Sequence, residues 1–282
     1  MFHSMVLCAY TVEPLFSSRV AHHTHVSFST DLGLSSVLAE LYPSHVHLPG
    51  GVKLDWVVLQ AVMNEPQSCF IYQDGKLQKI QCFSSQTGRH YTLYPTRGAP
   101  TMLISGIPMH RIKDTQPNFD TQAKIRAVQP VGRVLDTATG LGYTAIAAAN
   151  TAEHVTTIEL DGEVLEICRQ NPWSQLLFDN PRITQIIGDS FDVIQDLPDS
   201  HFSRILPDPP TFSLAGDLYS SEFYQQAFRV LKPNGRLFHY IGDLNSTSGR
   251  RVARGVTQRL EKAGFLRVVP KQEAFALLAF KR

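Results

Sequence analysis

The sequence predicts an α/β fold in which a seven-stranded, doubly wound sheet fills residues 119–282 and a smaller β-rich domain fills residues 1–118. Three observations predict it. Strand-like and helix-like patterns alternate regularly after Asp120, as a parallel sheet with crossover helices requires. The apolar run Arg133-Val134-Leu135-Asp136 enters a turn of small residues, Thr137-Ala138-Thr139-Gly140-Leu141-Gly142, and then a helical stretch. Three acids, Asp136, Glu159 and Asp189, each close a strand of their own, at the carboxyl ends where open α/β sheets bind ligands. With 282 residues, 43% of them hydrophobic, the chain can bury two cores.

The first 118 residues show short β patterns at 25–30, 68–73, 77–83 and 91–96, with Asp74-Gly75 as a hairpin turn and one helix at 55–63. A helix followed by a hairpin also fits a winged helix, but Lys76 and Lys79 are a thin basic footprint for nucleic acid. A substrate-capping role is the expectation. A strand-like segment at 101–105 leads into a linker holding Met109-His110-Arg111. In the second half, strands follow the first at 155–160, 183–187, 202–206, 236–241, 266–269 and 275–280. Helical patterns lie between them at 143–150, 162–169, 191–196, 221–231 and 249–263, the last with Val252, Val256 and Leu260 recurring on one face.

The turn after residue 136 can cradle either a dinucleotide pyrophosphate or the amino acid end of S-adenosylmethionine (AdoMet). Asp136 favours AdoMet, because a carboxylate attracts an ammonium and repels a phosphate. Glu159 stands where a carboxylate can accept both ribose hydroxyls, and Asp189 follows in Gly188-Asp189-Ser190. Three acids in these places resemble the first motifs of the class I AdoMet-dependent methyltransferases. The resemblance implies a Rossmann-like sheet that closes with an antiparallel pair. It also implies a cofactor site of Asp136, Thr137, Ala138, Gly140, Gly142 and Tyr143 for the methionine moiety, Glu159 and Leu160 for the ribose, and Gly188, Asp189 and Ser190 for the adenine. Ala138 departs from the family, which has glycine there.

The fourth strand runs into Pro207-Asp208-Pro209-Pro210-Thr211-Phe212, where the prolines fix the backbone around Asp208. Asp208 is thereby a candidate to orient an amine nucleophile. The segment is similar to the Asp/Asn-Pro-Pro-aromatic signature of amino-group methyltransferases, with Thr211 displacing the aromatic Phe212. His110 and Tyr219 complete the catalytic candidates, His110 as a base near neutral pH. Met109, Arg111, Trp173, Pro209, Phe212 and His239 are the candidate acceptor contacts, Arg111 through an acidic group and Trp173 and Phe212 through stacking.

Residues 95–145 with Asn171-Pro172-Trp173-Ser174, Asp208-Pro209-Pro210, Ala215-Gly216-Asp217-Leu218-Tyr219-Ser220 and Phe238-His239-Tyr240 resemble an archaeal-type methyltransferase family marked by an Asp-Pro-Pro motif. Pro207 and Thr211 stand where that family often carries His and Arg. A β module ahead of the sheet is similar to the layout of spermidine synthases. The expected function is methyl transfer from AdoMet to a nitrogen of a small molecule. The alternatives are aminopropyl or 3-amino-3-carboxypropyl transfer, AdoMet cyclisation, and an RNA-modifying or RNA-binding protein.

A net charge of +1 lacks the basic excess of an autonomous nucleic-acid binder, and Arg250, Arg251 and Arg254 read as a solvated helix face. His22, His23, His25, His45 and His47 share no spacing with cysteine or carboxylate, so no metal is expected. Cys8, Cys69, Cys82 and Cys168 read as reduced thiols, although Cys69 and Cys82 flank the hairpin and could face one another. With neither an export signal nor an apolar run of membrane length, the expectation is a cytoplasmic protein with a small-molecule substrate, a homodimer being its allowed assembly.

Overall fold

The computed structural model describes residues 4–209 and 216–282. The chain divides into two units, Met1–Asn118 with Glu163–Gln175, and Phe119–Gly162 with Leu176–Arg282.

In the first unit, short antiparallel strands form three small sheets. His25–Phe28, Val37–Leu41, His45–Leu48 and Val52–Asp55 make a four-stranded meander. Met5–Leu7, Phe70–Gln73 and Lys76–Lys79 make a second sheet, and Gln81–Ser84, Arg89–Tyr94, Thr101–Ile104 and Ile107–Pro108 a third. Asp74 and Gly75 both have positive φ, 51° and 76°, which the tight hairpin turn between Phe70–Gln73 and Lys76–Lys79 needs. The single strand expected at 77–83 is two strands in two sheets, broken at the fully buried Ile80. The Ile80 amide donates to the Cys69 carbonyl at 3.0 Å, and its carbonyl accepts from the Leu93 amide at 2.9 Å, so the chain passes between sheets without losing its hydrogen bonds. Leu7, Val12, Leu15, Phe28, Val46 and Leu59 lie in the core, bringing helices Ala9–Val20 and Trp56–Asn64 together with the strands. Helix Gly162–Gln170 falls almost wholly in this unit by contacts, with Val164, Leu165, Ile167 and Cys168 buried. All four cysteines are free thiols, Cys69 buried and Cys82 half-buried.

The second unit is one seven-stranded sheet. Its strands are β1 (Arg133–Asp136), β2 (His154–Glu159), β3 (Ile183–Ile187), β4 (Phe202–Leu206), β5 (Leu231–Tyr240), β6 (Arg267–Lys271) and β7 (Ala276–Phe280). Their spatial order is β3-β2-β1-β4-β5-β7-β6, with the first five parallel and β7 antiparallel to both β5 and β6. The order reverses at β1, which pairs with β2 on one side and β4 on the other, and such a switch point opens a crevice at the carboxyl ends of the strands. The central strands are apolar on both faces, as buried parallel strands are: Val134, Leu135, Ile205 and Leu206 are all fully enclosed. The expected strand at 236–241 extends back to Leu231, with a register shift against β4 that takes up the Pro233-Asn234-Gly235 turn.

The longer helices of this unit are α1 (Pro117–Val128), α2 (Tyr143–Ala148), α3 (Ser190–Asp196), α4 (Ser221–Val230) and α5 (Thr247–Lys262), with a short turn of helix at Leu176–Asp179. Side-chain caps start three of them: Asp189 accepts from the Phe191 amide at 2.8 Å, Ser220 from Phe223 at 3.0 Å, and Ser246 from Gly249 at 2.9 Å. Phe223, Tyr224, Ala227, Val256, Leu260 and Phe265 pack against the sheet. No described helix is long and apolar enough to cross a membrane. Among the described residues no group of His, Cys, Asp and Glu could hold a metal ion.

Candidate active site

The second unit gathers acids at the carboxyl ends of β1, β2 and β4. Asp136 ends β1 with its side chain almost wholly buried, and it accepts from the Thr157 hydroxyl at 3.1 Å and the Ala138 amide at 3.4 Å. Burial, reinforced by the charge of Asp208, raises its pKa to about 8 against the opposing effect of those two donors. Glu159 ends β2 and accepts from the Gly140 amide at 2.8 Å and the Asp161 amide at 3.2 Å. Burial pushes it up to about 7, although the backbone donors work the other way. Glu159 thus clamps the small-residue turn, while a carboxylate's spare lone pairs remain able to receive a diol.

The turn keeps the chain close to whatever binds beside it. Gly140 and Gly142 have φ of 52° and 76°, and a Cβ on Gly142 would meet Leu177 at 2.8 Å. Thr137 donates its amide to Leu206, Thr139 donates its amide to Ile158, and the Ser190 hydroxyl donates to the Thr137 carbonyl at 2.7 Å. Ala138 is half-buried, Tyr143 is buried at the start of α2, and Leu160 is exposed just past Glu159. The Gly188 amide donates to the Glu159 carbonyl, which places Asp189 and Ser190 beside the end of β2. Asp189 is exposed and already caps α3.

Asp208 follows β4, where the Pro207 carbonyl accepts from the Tyr240 amide at 3.0 Å and Pro209 is buried. Its Oδ2 lies 2.6 Å from Lys124 Nζ, and the same ammonium reaches Asp120 Oδ2 at 2.9 Å. Both partners come from α1, and their side chains are 5% and 0% exposed. Lys124 Nζ also sits 4.8 Å from the centre of the Tyr240 ring. Burial alone would lower the Lys124 pKa, but the Asp208 and Asp120 carboxylates outweigh it and hold the ammonium above its ordinary range. Burial raises Asp208, Lys124 pulls it back, and Asp120 raises it further. Sequence alone does not mark the Asp120–Lys124 pair. Its signal, an acid four residues before a lysine on a helix, reads as a solvated surface pair until burial is known.

Tyr219 is buried, and its hydroxyl donates to the Tyr240 carbonyl at 3.4 Å. Burial and the Asp208 charge raise its phenol pKa, so Tyr219 keeps its proton and offers a donor rather than a base. His239 is fully enclosed, with Nε2 at 3.3 Å from the Tyr224 hydroxyl and the Tyr219 ring edge-on at 4.6 Å. Burial drives its pKa down to about 3, leaving a neutral imidazole behind the site rather than an acceptor contact. In the first unit the Met109 amide donates to Met102, and His110 Nδ1 lies 3.0 Å from the Thr101 hydroxyl. There too, Trp173 donates from Nε1 to the Leu32 carbonyl at 3.1 Å; Arg111, in the same unit, is half-buried. Phe212, with Pro210 and Thr211, lies outside the described residues.

Residues 136–265 match the model of the spermine/spermidine synthase domain. An uncharacterized protein of Methanocaldococcus jannaschii is 43% identical over 235 residues, which is 82% of this chain and 79% of that one, so the two belong to one family. The polyamine aminopropyltransferase of Sulfolobus acidocaldarius is 33% identical over 87 residues, 29% of each chain. Putrescine N-methyltransferase 4 of Nicotiana tabacum is 25% identical over 107 residues, 36% of this chain and 28% of that one. A crystal structure of spermidine synthase in complex with the transition state analogue AdoDATO aligns with a TM-score of 0.60 over 72% of this chain and 73% of that one, at 19% identity, a likeness of fold. The spermidine-synthase layout seen in the sequence therefore holds at the level of the fold, and Asp136, Glu159, Asp161 and Asp208 lie within the matched span.

Proposed function

We propose that this chain transfers an alkyl group from an AdoMet-type sulfonium to an amine, and that the group is aminopropyl, taken from decarboxylated AdoMet. The observation that carries this reading is the charge of the crevice. Asp120, Asp136, Glu159, Asp161 and Asp208 are buried or nearly so, and Lys124 bridges Asp120 and Asp208. Carboxyls held near pH 7 to 8 by burial and mutual repulsion are groups that a bound cation would ionise. Decarboxylated AdoMet brings a sulfonium and an ammonium and no carboxylate. AdoMet brings a carboxylate that Asp136 and Asp208 would repel. The Sulfolobus aminopropyltransferase among the relatives supports the same reading.

In this scheme Asp136 holds the donor's ammonium, Glu159 accepts from its ribose hydroxyls, and Asp189 and Ser190 border the adenine. Asp208 accepts an N–H of the acceptor amine, so that the lone pair points at the carbon next to sulfur. The new N–C bond forms as the S–C bond breaks, its electron pair passes to sulfur, and methylthioadenosine leaves. The proton lost by nitrogen goes to Asp208 or to water.

A second reading, methyl transfer, is favoured by the tobacco putrescine N-methyltransferase and by the Asp-Pro-Pro segment after β4. There the same amine attacks the methyl carbon and S-adenosylhomocysteine leaves. The test is incubation with each donor and a panel of diamines and polyamines, followed by mass spectrometry of the nucleoside product. Methylthioadenosine with an aminopropylated amine supports the first reading. S-adenosylhomocysteine with a methylated amine replaces it with the second, methylthioadenosine without a new amine means cyclisation or hydrolysis, and no turnover of either donor overturns both.

A further inference from the structure

We propose that Lys124 is a positioning residue of the transfer site: anchored by Asp120, it keeps the Asp208 carboxylate ionised and turned so that Oδ2 faces Lys124 and Oδ1 is left for the acceptor amine. The inference rests on the transfer reading for the identity of that amine, and on geometry for the rest. Lys124 Nζ is 2.6 Å from Asp208 Oδ2 and 2.9 Å from Asp120 Oδ2, with both α1 side chains almost wholly buried. No described residue is hydrogen-bonded to Asp208 Oδ1, and the Asp208 side chain keeps 13% of its surface exposed.

The surroundings of Asp208 explain why such a partner is needed. From β1 comes Asp136, from α1 comes Asp120, from the turn Gly216–Tyr219 comes the Tyr219 phenol, and from β5 comes Tyr240 beside Lys124. Burial together with the Asp120 charge would drive a carboxyl without a cation partner to take up a proton. A protonated Asp208 would be a donor where an amine N–H needs an acceptor. Lys124 is the charge that opposes this, and with it in place burial lifts Asp208 only part of the way from its ordinary value. Its own pKa is raised by Asp208 and Asp120, so it stays charged across the working range and is not itself the base. The triad is therefore a fixed electrostatic support in which Asp120 stops the lysine from swinging toward an incoming carboxylate or solvent.

The test compares Lys124→Met, Lys124→Gln and Lys124→Arg with the parent chain. Lys124→Met is expected to lower kcat at least roughly tenfold near pH 7, a change typical of a lost positioned group, with donor Kd changed less than about threefold. The acidic limb of the kcat profile should move up by at least about one pH unit, restoring activity toward pH 9, while Lys124→Arg keeps the parent profile. Difference infrared spectroscopy of the donor-free protein supplies a readout that needs no turnover. At pH 7 Lys124→Met should gain a protonated carboxyl band that disappears in Lys124→Met/Asp208→Asn. If Met at this buried position prevents folding, Lys124→Gln serves for the same measurements. An unmoved pH profile together with no new carboxyl band would overturn the proposal, leaving Lys124 as a structural residue. If the parent chain turns over no donor while the infrared band behaves as expected, the transfer reading fails and the Lys124–Asp208 coupling stands.

Discussion

In the proposed transfer, Asp208 is the residue that orients the acceptor amine. Asp208→Asn keeps the shape and removes the acceptor charge, and is expected to lower turnover by roughly tenfold to a thousandfold with donor affinity within about twofold, as measured by steady-state kinetics and calorimetry on one preparation. Glu159 clamps the turn, and in the proposed scheme it also accepts from the donor ribose; a pair of variants separates the two. Glu159→Gln retains an oxygen for the Gly140 amide but loses the charge, so donor affinity should fall by roughly 1 to 3 kcal/mol while melting stays close to that of the parent. Glu159→Ala also frees the turn and should lower the melting temperature. Asp136, Glu159 and Asp208 were legible in the sequence because each follows an apolar run, and strand ends are where a parallel sheet exposes its ligand edge. Lys124 and Asp120 were not, since an acid and a lysine four apart read as a solvated surface pair and only the fold shows that they are buried. His239 failed in the opposite way: an aromatic-polar cluster looks like a pocket wall in sequence, yet here it is enclosed by Tyr219 and Tyr224.

At the scale of elements, the strand–turn–helix from β1 to α2 depends on Gly142. Its φ of 76° strains any L side chain, and a Cβ there would press on Leu177. Gly142→Ala should therefore cost about 1 to 2 kcal/mol of stability, seen in chemical denaturation, and weaken donor binding by moving the turn. The second unit's strands could be read because each is a short apolar run between helical patterns, and period and alternation agree there. The first unit resisted. Its strands are mostly three to five residues long, too short for a period to declare itself, and Val37–Leu41 and Val52–Asp55 pass unmarked between polar loops. Helix Ala9–Val20 hides behind Pro14 and a sparse apolar stripe of Ala9, Val12 and Leu15. The break at Ile80 is a tertiary effect, because two sheets compete for one extended run.

For the whole molecule, the buried acids make stability depend on pH in an unusual direction. Asp136 and Glu159 have folded pKa values of about 8 and about 7, above those of an unfolded chain, so between about pH 4 and pH 8 the native state holds protons that the unfolded state has released. Stability of the donor-free protein should fall as pH rises through that window and level off above it. Lys124, raised above the usual lysine range, contributes a constant amount there. Thermal melts from pH 5.5 to 8.5 check the slope, at roughly 2 to 4 °C for each kcal/mol. A cationic donor should flatten the curve and release protons on binding, visible as a buffer-dependent heat at pH 7. The most direct measurement is a calorimetric titration of the protein and its Asp136→Asn variant with decarboxylated AdoMet and with AdoMet. The acid-lined crevice predicts at least roughly tenfold tighter binding of the decarboxylated donor, a preference of about 1.4 kcal/mol that shrinks in Asp136→Asn. Tighter binding of AdoMet, or no binding of either donor, would contradict it.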